Sequence, residues 1–493
     1  MKIIHNYIKA CFVPACLGLL LGLLVISDYY SVNFLVSVLG HRDFLKIVPF
    51  EFSLCLLIII GLMILASSVL SRTLSIALEK PDKVFTVILI IGFQTVGLVQ
   101  GRFDSSDIFF ALLFLSWFIN ILTTKEYEIV GSKLHVLNAI FFIFALLPAI
   151  NSGLFTFLST IPLVKAIITS FMIINIIRTK ESVIFFMKTL FLVTTLSAII
   201  GIVQEIVYLL NGRILFSVSE KVLSFLIEKN SLGTFVRVPA FTGMHLFLAN
   251  FLNVGLLMGL NYYLYFSSFL KRKEKLFIIT AMALMALALV LTFSKTNVFG
   301  LALGVSLSLL IKWRSRIIHF AVIFLVIAAV VQMFGYWEKI FDKLALDVES
   351  GEIGLRLDLI KQGLNGFFHK HYLTGVGVGR GVQYTVNVKG WATHNAFILS
   401  AVETGLFGFF MFCSIFLFGF LRLIITLPGI QEPQMKTALK ILLASLLAYV
   451  VNIQFQPDFS SYFNWILLGF IECAVIVFGK ESKIKSPLEF SHK

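Results

Sequence analysis

Long apolar runs separated by short polar connections set the pattern of this chain. Runs of roughly 17–27 residues recur along the whole length, each long enough to carry a helix across a hydrocarbon core about 30 Å thick. They lie near 10–28, 48–70, 84–100, 107–123, 134–150, 156–177, 184–210, 241–269, 276–292, 296–311, 317–335, 396–424, 438–456 and 459–479. The pattern predicts an all-α fold: a polytopic membrane helix bundle of about 14 transmembrane helices. A membrane barrel would need segments of about 10 residues with strict alternation, and the runs do not alternate. The first run follows Lys2 and Lys9. It is too long for a signal-peptide core and no small-x-small cleavage site follows, so it is read as a retained span.

Composition agrees with the pattern. The chain is 59% apolar and only 13% charged, against about 45–50% and about 25% in soluble domains. Its net charge of +14 sits in particular connections: Lys271, Arg272, Lys273 and Lys275; Lys312, Arg314 and Arg316; Lys480, Lys483 and Lys485. With 14 spans these all fall on one side, which places them and both termini in the cytoplasm. The charge therefore reports topology and attraction to anionic membrane lipids, and nucleic-acid binding is excluded. Cys11, Cys16, Cys55, Cys413 and Cys473 all fall in predicted spans without metal-ligand spacing. The opposite side carries the long connections, 211–240 and 336–395. Function is expected there, where irregular backbone meets a membrane cavity.

The 336–395 loop has internal order. Ile353, Leu357, Ile360, Leu364 and Phe367 form a helical stripe over 352–368, an amphipathic helix lying against the bundle or the membrane surface. Arg356 stands at the border of that stripe. Gly375-Val-Gly-Val-Gly-Arg-Gly381 follows. It lacks the strand–helix context of a dinucleotide fingerprint and reads as a turn permitting close backbone approach. Arg380 within it is an anion contact or a solvated charge. His394 stands at a span entrance, where a neutral imidazole can act as a base; headgroups would equally satisfy a histidine there.

Leu355-Arg-Leu357, Gly375-Val-Gly-Val-Gly379, Thr393-His-Asn395 and Glu403-Thr-Gly-Leu-Phe-Gly408 together resemble the core of the O-antigen ligase and polymerase family. Its hallmark of His-Asn, nine residues, Gly, two residues, Gly runs without a gap from His394 to Gly408. Upstream, Arg237 precedes a span as a family arginine does, but Met244 and His245 stand where Pro-Asn is expected. Lys295 stands where the family has Arg, and a lysine lacks the bidentate fork. The resemblance covers roughly residues 200–410 and also includes bacterial protein O-glycosyltransferases.

The resemblance implies an enzyme that moves a glycan from undecaprenyl diphosphate to an acceptor hydroxyl on the periplasmic face of a bacterial inner membrane. Arg237, Arg356 and His394 are the implied catalytic residues; Lys295, Arg380, Asn395 and His245 are implied to bind substrate. Arginines supply the positive charge, and the outer loops hold no Asp-x-Asp pair, so neither metal nor other cofactor is expected. The motif spacing favours a ligase acting on lipid A–core. The spans beyond twelve favour a polymerase joining lipid-linked repeat units, which stays as the alternative. A flippase or other transporter is the competing non-enzyme reading, but no repeat of the transporter kind is present. Three regions are expected: a membrane bundle over 1–210, a catalytic region over 211–424 with the periplasmic loop 336–395, and terminal helices with a tail over 425–493. Among intramembrane charges, Lys165 and Glu472 are expected to pair structurally, and Glu403 to support the bundle.

Overall fold

The computed structural model describes residues 81–94, 105–123, 128–152, 154–211, 227–230, 233–240, 242, 244–312, 352–370, 372–384, 393–456 and 459–484. The spans expected near 10–28, 48–70 and 317–335 lie outside these residues, as do 336–351 and 385–392 of the large loop. The chain divides into compact units Met1–Val84 and Phe85–Lys493, and all the described residues except 81–84 belong to the second.

The described helices are α1 (Pro81–Gln94), α2 (Ser105–Thr123), α3 (Lys133–Ser152), α4 (Leu154–Ser159), α5 (Ile161–Ile176), α6 (Lys180–Asn211), α7 (His245–Phe266), α8 (Arg272–Leu291), α9 (Lys295–Lys312), α10 (Glu352–Lys370), α11 (Ala396–Thr426), α12 (Pro433–Ile453) and α13 (Tyr462–Ile484). Among the described residues, eight helices are long and apolar enough to cross a membrane. Each coincides with a run read from the sequence, and α2 and α3 coincide with two more. The chain is a multi-pass membrane protein. One departure from helix is a two-stranded antiparallel ribbon, Ile227–Asn230 with Gly233–Val236, inside what the sequence shows only as a polar connection.

The bundle is ordered by burial. The membrane windows of α7, α12 and α13 are 72%, 72% and 78% buried, whereas those of α8, α9 and α11 are 28%, 22% and 28% buried. The first three form the centre; the others present apolar side chains outward. α9 meets α12 through small residues on both sides. A Cβ on Gly300 would stand 2.8 Å from the Ala448 carbonyl oxygen, and one on Gly304 3.2 Å from that of Ala444. The spacing of four on both helices lets the backbones close where lipid supplies no hydrophobic drive. Gly300→Leu is expected to lower the thermal midpoint of the detergent-purified protein by about 2–5 °C, because overpacking forces the helices apart. Val298→Leu, at a 47% exposed position on the same helix, should leave it unchanged.

Two sets of contacts fix which helix ends lie together. At one end Asn250 Nδ2 donates to Gln456 Oε1 (3.0 Å), Asn253 Nδ2 to the Asn297 carbonyl (2.8 Å), and Asn452 and Asn297 amides meet at 2.7 Å. At the other end Asn261 Nδ2 donates to Ser308 Oγ (2.8 Å), Lys440 Nζ to Tyr265 Oη (3.3 Å), and Lys180 pairs with Glu432. The second end carries Arg178, Lys180, Lys271, Arg272, Lys273, Lys275, Lys312 and Lys436. The charged residues inside the spans pair as their positions suggested. Lys165 binds Asp107; Glu472 receives Arg422 Nε at 3.0 Å and Ser132 Oγ at 2.8 Å.

Candidate functional site

The glycine turn and the break in α11 are one structure. α11 leaves helical geometry at Gly405 (φ 75°, ψ −177°). The break frees backbone groups that a continuous helix would pair internally, and in a membrane these need other partners. Residues 372–377 supply them: Val376 N donates to Val402 O (3.0 Å), Gly377 N to Glu403 O (2.9 Å), and Leu406 N to Tyr372 O (2.8 Å). The approach demands glycine on both sides. Gly375, Gly377 and Gly379 have φ of 73°, 102° and 80°, a region open to glycine at little cost. A Cβ on Gly375 would run into the Glu403 carbonyl, and one on Gly405 into the Leu373 carbonyl.

Glu403 completes the joint. Its side chain is 5% exposed. One carboxylate oxygen accepts from Gly379 N (2.9 Å) and the other from Gly381 N (2.9 Å). The two amides flank Arg380, so a single carboxylate brackets the backbone of that half-buried arginine. Bonds to an ionised acceptor are the strong kind.

The start of α11 is fixed as firmly. Asn395 Oδ1 caps the helix by accepting from Phe397 N and Ile398 N (both 3.0 Å), and its Nδ2 donates to Gln454 Oε1 (3.1 Å). Both ends of the amide are thereby engaged in holding the entrance, a job that the motif alone does not reveal. Thr393 is fully buried and meets α10, where a Cβ on Gly363 would stand 3.0 Å from Thr393 Oγ1. His394, half-buried, is held between these two anchored residues.

α10 has the expected bounds but a rotated face. Leu359 (0% exposed), Gly363 and Phe367 (4%) are buried, while Leu357 is 44% exposed. At 100° per residue, Arg356 lies in the middle of that buried face, where the stripe of large apolar residues put it at the border. It sits two turns, about 10.5 Å along the axis, from the Gly363–Thr393 contact.

Arg237 is held by a different device. Val236 N donates to Glu205 Oε2 (3.0 Å), Val238 N to Leu291 O (3.2 Å), and the Gln204 amide closes a pair with Ala240, receiving its N–H at 2.8 Å and donating to its carbonyl at 3.2 Å. That pair secures Ala240 at a φ of 46°, which costs a non-glycine residue roughly 1–3 kcal/mol. Val236 and Val238 are fully buried. In extended backbone Arg237 between them points the other way, and it is half-buried. His245 opens α7 and is buried; Lys295 opens α9 and is exposed.

These parts belong to one end of the bundle, the end away from the lysine-rich connections. Gln454 holds Asn395 and Gln456 holds Asn250, so the turn after α12 joins the entrance of α11 to the first turns of α7. Asn297, linked to Asn253 and Ser294, adds the start of α9 and hence Lys295. Sequence reading missed Gln204, the Asn250–Asn253–Asn297–Asn452–Gln456 cluster and the two amides that Glu403 clamps. The only signal for them was that many amides recur in apolar runs. Among the described residues, no three His, Cys, Asp or Glu side chains gather as metal ligands would.

Residues 280–413 match the family described as O-antigen ligase. The match holds Lys295, Arg356, the glycine turn, His394, Asn395 and the break at Gly405; Arg237 and His245 lie outside it. No curated protein matches the chain.

Proposed function

We propose that this protein, whose residues 280–413 match the O-antigen ligase family, is a membrane glycosyltransferase that moves a glycan from undecaprenyl diphosphate to a hydroxyl of lipid A–core on the periplasmic face. The observation that carries the reading is the joint at Gly405. A broken membrane helix and a glycine turn are locked together by Glu403, which brackets Arg380, on the helix whose entrance holds His394, at the end opposite the basic connections. Irregular backbone at membrane depth is tolerated where it is buried in protein or lines a cavity. In the proposed reaction the acceptor oxygen attacks the anomeric carbon, and the bond from that carbon to the diphosphate oxygen breaks. The diphosphate leaves with the electron pair. Arg237 and Arg356 neutralise it, Arg380 and Lys295 add contacts, and His394 takes the hydroxyl proton.

The test is transfer by the purified protein in nanodiscs, supplied with undecaprenyl-diphosphate glycan and either lipid A–core or a second lipid-linked glycan. Glycan joined to lipid A–core is the expected product, and it should form in excess EDTA. Elongation of the lipid-linked glycan alone would make the protein a polymerase. Loss in EDTA restored by one divalent ion would overturn the arginine-only account of charge. Movement of donor across the bilayer without transfer would make it a transporter.

The orientation is tested separately. Reporter fusions after Gly351 and at Lys493 should report periplasm and cytoplasm respectively, because basic connections stay in the cytoplasm. A cytoplasmic signal at Gly351 would move the whole site to the other face.

A further inference from the structure

At the lysine-rich end of the bundle, a cavity of about 540 Å³ opens between α6, α7, α8 and α12. Its volume falls within the roughly 300–1,000 Å³ of pockets that hold small ligands. Phe191, Met258, Tyr262, Phe277 and Ile441 supply apolar wall. Leu192, Phe277 and Tyr262 line it and are still 52%, 49% and 38% exposed, so the cavity opens sideways, toward the bilayer. Lys188 and Lys273 also line it. The one acid among the lining residues, Glu274, is turned to the backbone, where its carboxylate accepts from Lys271 N at 2.9 Å. The rim therefore offers two ammonium groups above an apolar chamber, and Arg272 and Lys275 flank it on the same turn.

The donor diphosphate is the wrong anion for these lysines. α7 has 22 residues, so its His245 end and its Phe266 end are about 33 Å apart. The proposed transfer site is at the first end and the cavity at the second. None of the lining residues falls inside the matched segment 280–413. An amphiphile that already lies in this leaflet, with a negative headgroup at the level of the lysines and a chain beside the walls, fits all of these features. Basic pockets between membrane helices bind anionic headgroups in this way.

We propose that the cavity binds one anionic glycerophospholipid of the lysine-rich leaflet, with an acyl chain in the apolar chamber and the phosphate on Lys188 and Lys273. The delipidated full-length protein, titrated with phosphatidylglycerol or with phosphatidylcholine of the same chains and read by native mass spectrometry, tests this. Wild type should retain one phosphatidylglycerol in preference to phosphatidylcholine. Lys188→Ala with Lys273→Ala should weaken that binding roughly thirtyfold, at about 1 kcal/mol for each lysine near the headgroup. Leu192→Trp, at an exposed lining position, fills the chamber with both charges intact and should abolish retention. It decides the matter if the double variant does not fold. Unchanged phosphatidylglycerol binding in a folded double variant or in Leu192→Trp would overturn the proposal. So would equal retention of the two lipids, or displacement of phosphatidylglycerol by millimolar inorganic phosphate, which would mark a site for a free anion.

Discussion

Glu403→Gln is expected to reduce glycan transfer by about 30- to 100-fold while the helix bundle stays folded. The carboxylate receives two amide N–H groups, one on each oxygen. An amide can accept only one of them and must turn its own NH₂ toward the other, donor against donor. Hydrogen bonds to charged groups contribute about 1.5–3 kcal/mol each, so losing one and opposing the second lowers the population of the held turn by that factor. Glu403→Asp retains the charge but is one methylene short, and should fall between. Because Glu403 acts by positioning Arg380, the donor KM should rise in Glu403→Gln much as it does in Arg380→Ala. The double variant should be no worse than the stronger single one. Hydrogen exchange gives the matching local signal: the Gly379 and Gly381 amides lose protection and those of α12 do not. Full additivity of the two substitutions would mean that Glu403 serves the bundle and leaves Arg380 alone.

The elements that were legible in the sequence are those whose signal is carried by large apolar side chains. Eight spans and the bounds of α10 follow from hydrophobic runs and periodicity, since burying a helix in lipid needs little else. The face of α10 was harder. Leu357 and Leu364 advertise one direction, but the helix turns Leu359, Gly363 and Phe367 inward, and glycine contributes no hydrophobic signal although its lack of a side chain is what lets Thr393 approach. The site divides in the same way. His394 and the glycines could be found because their order and spacing form a pattern. The Gln204–Ala240 pair, the Glu205–Val236 bond and the Asn250–Gln456 bond join residues 36, 31 and 206 positions apart. No local window contains them. Asn395 illustrates a third case: the motif marks the residue, but only the cap on Phe397 and Ile398 shows what its side chain is occupied with.

Arg356→Lys should impair transfer nearly as much as Arg356→Ala, whereas His394→Ala should slow the chemistry and spare donor binding. Arg356 stands in the middle of the buried face of α10, the face that meets Thr393 through Gly363. A diphosphate offers pairs of oxygens that match a guanidinium fork. Lysine keeps the charge and loses the fork, so a large loss in Arg356→Lys separates bidentate grip from bulk electrostatics. His394 is held between a buried threonine and a capping asparagine, which fixes its backbone while the side chain stays half-exposed to an acceptor. General base catalysis contributes about 10²–10⁴-fold, and that is the loss expected in kcat for His394→Ala. Measuring lipid-linked donor binding and transfer on the same purified variants distinguishes the roles. His394→Ala binds donor and turns it over about 10²–10⁴-fold more slowly; Arg356→Lys and Arg356→Ala bind it poorly. Normal transfer by His394→Ala would remove the base. Equal donor affinity in Arg356→Lys and wild type would reduce Arg356 to a point charge, and the grip on the diphosphate would then have to come from Arg237 and Arg380.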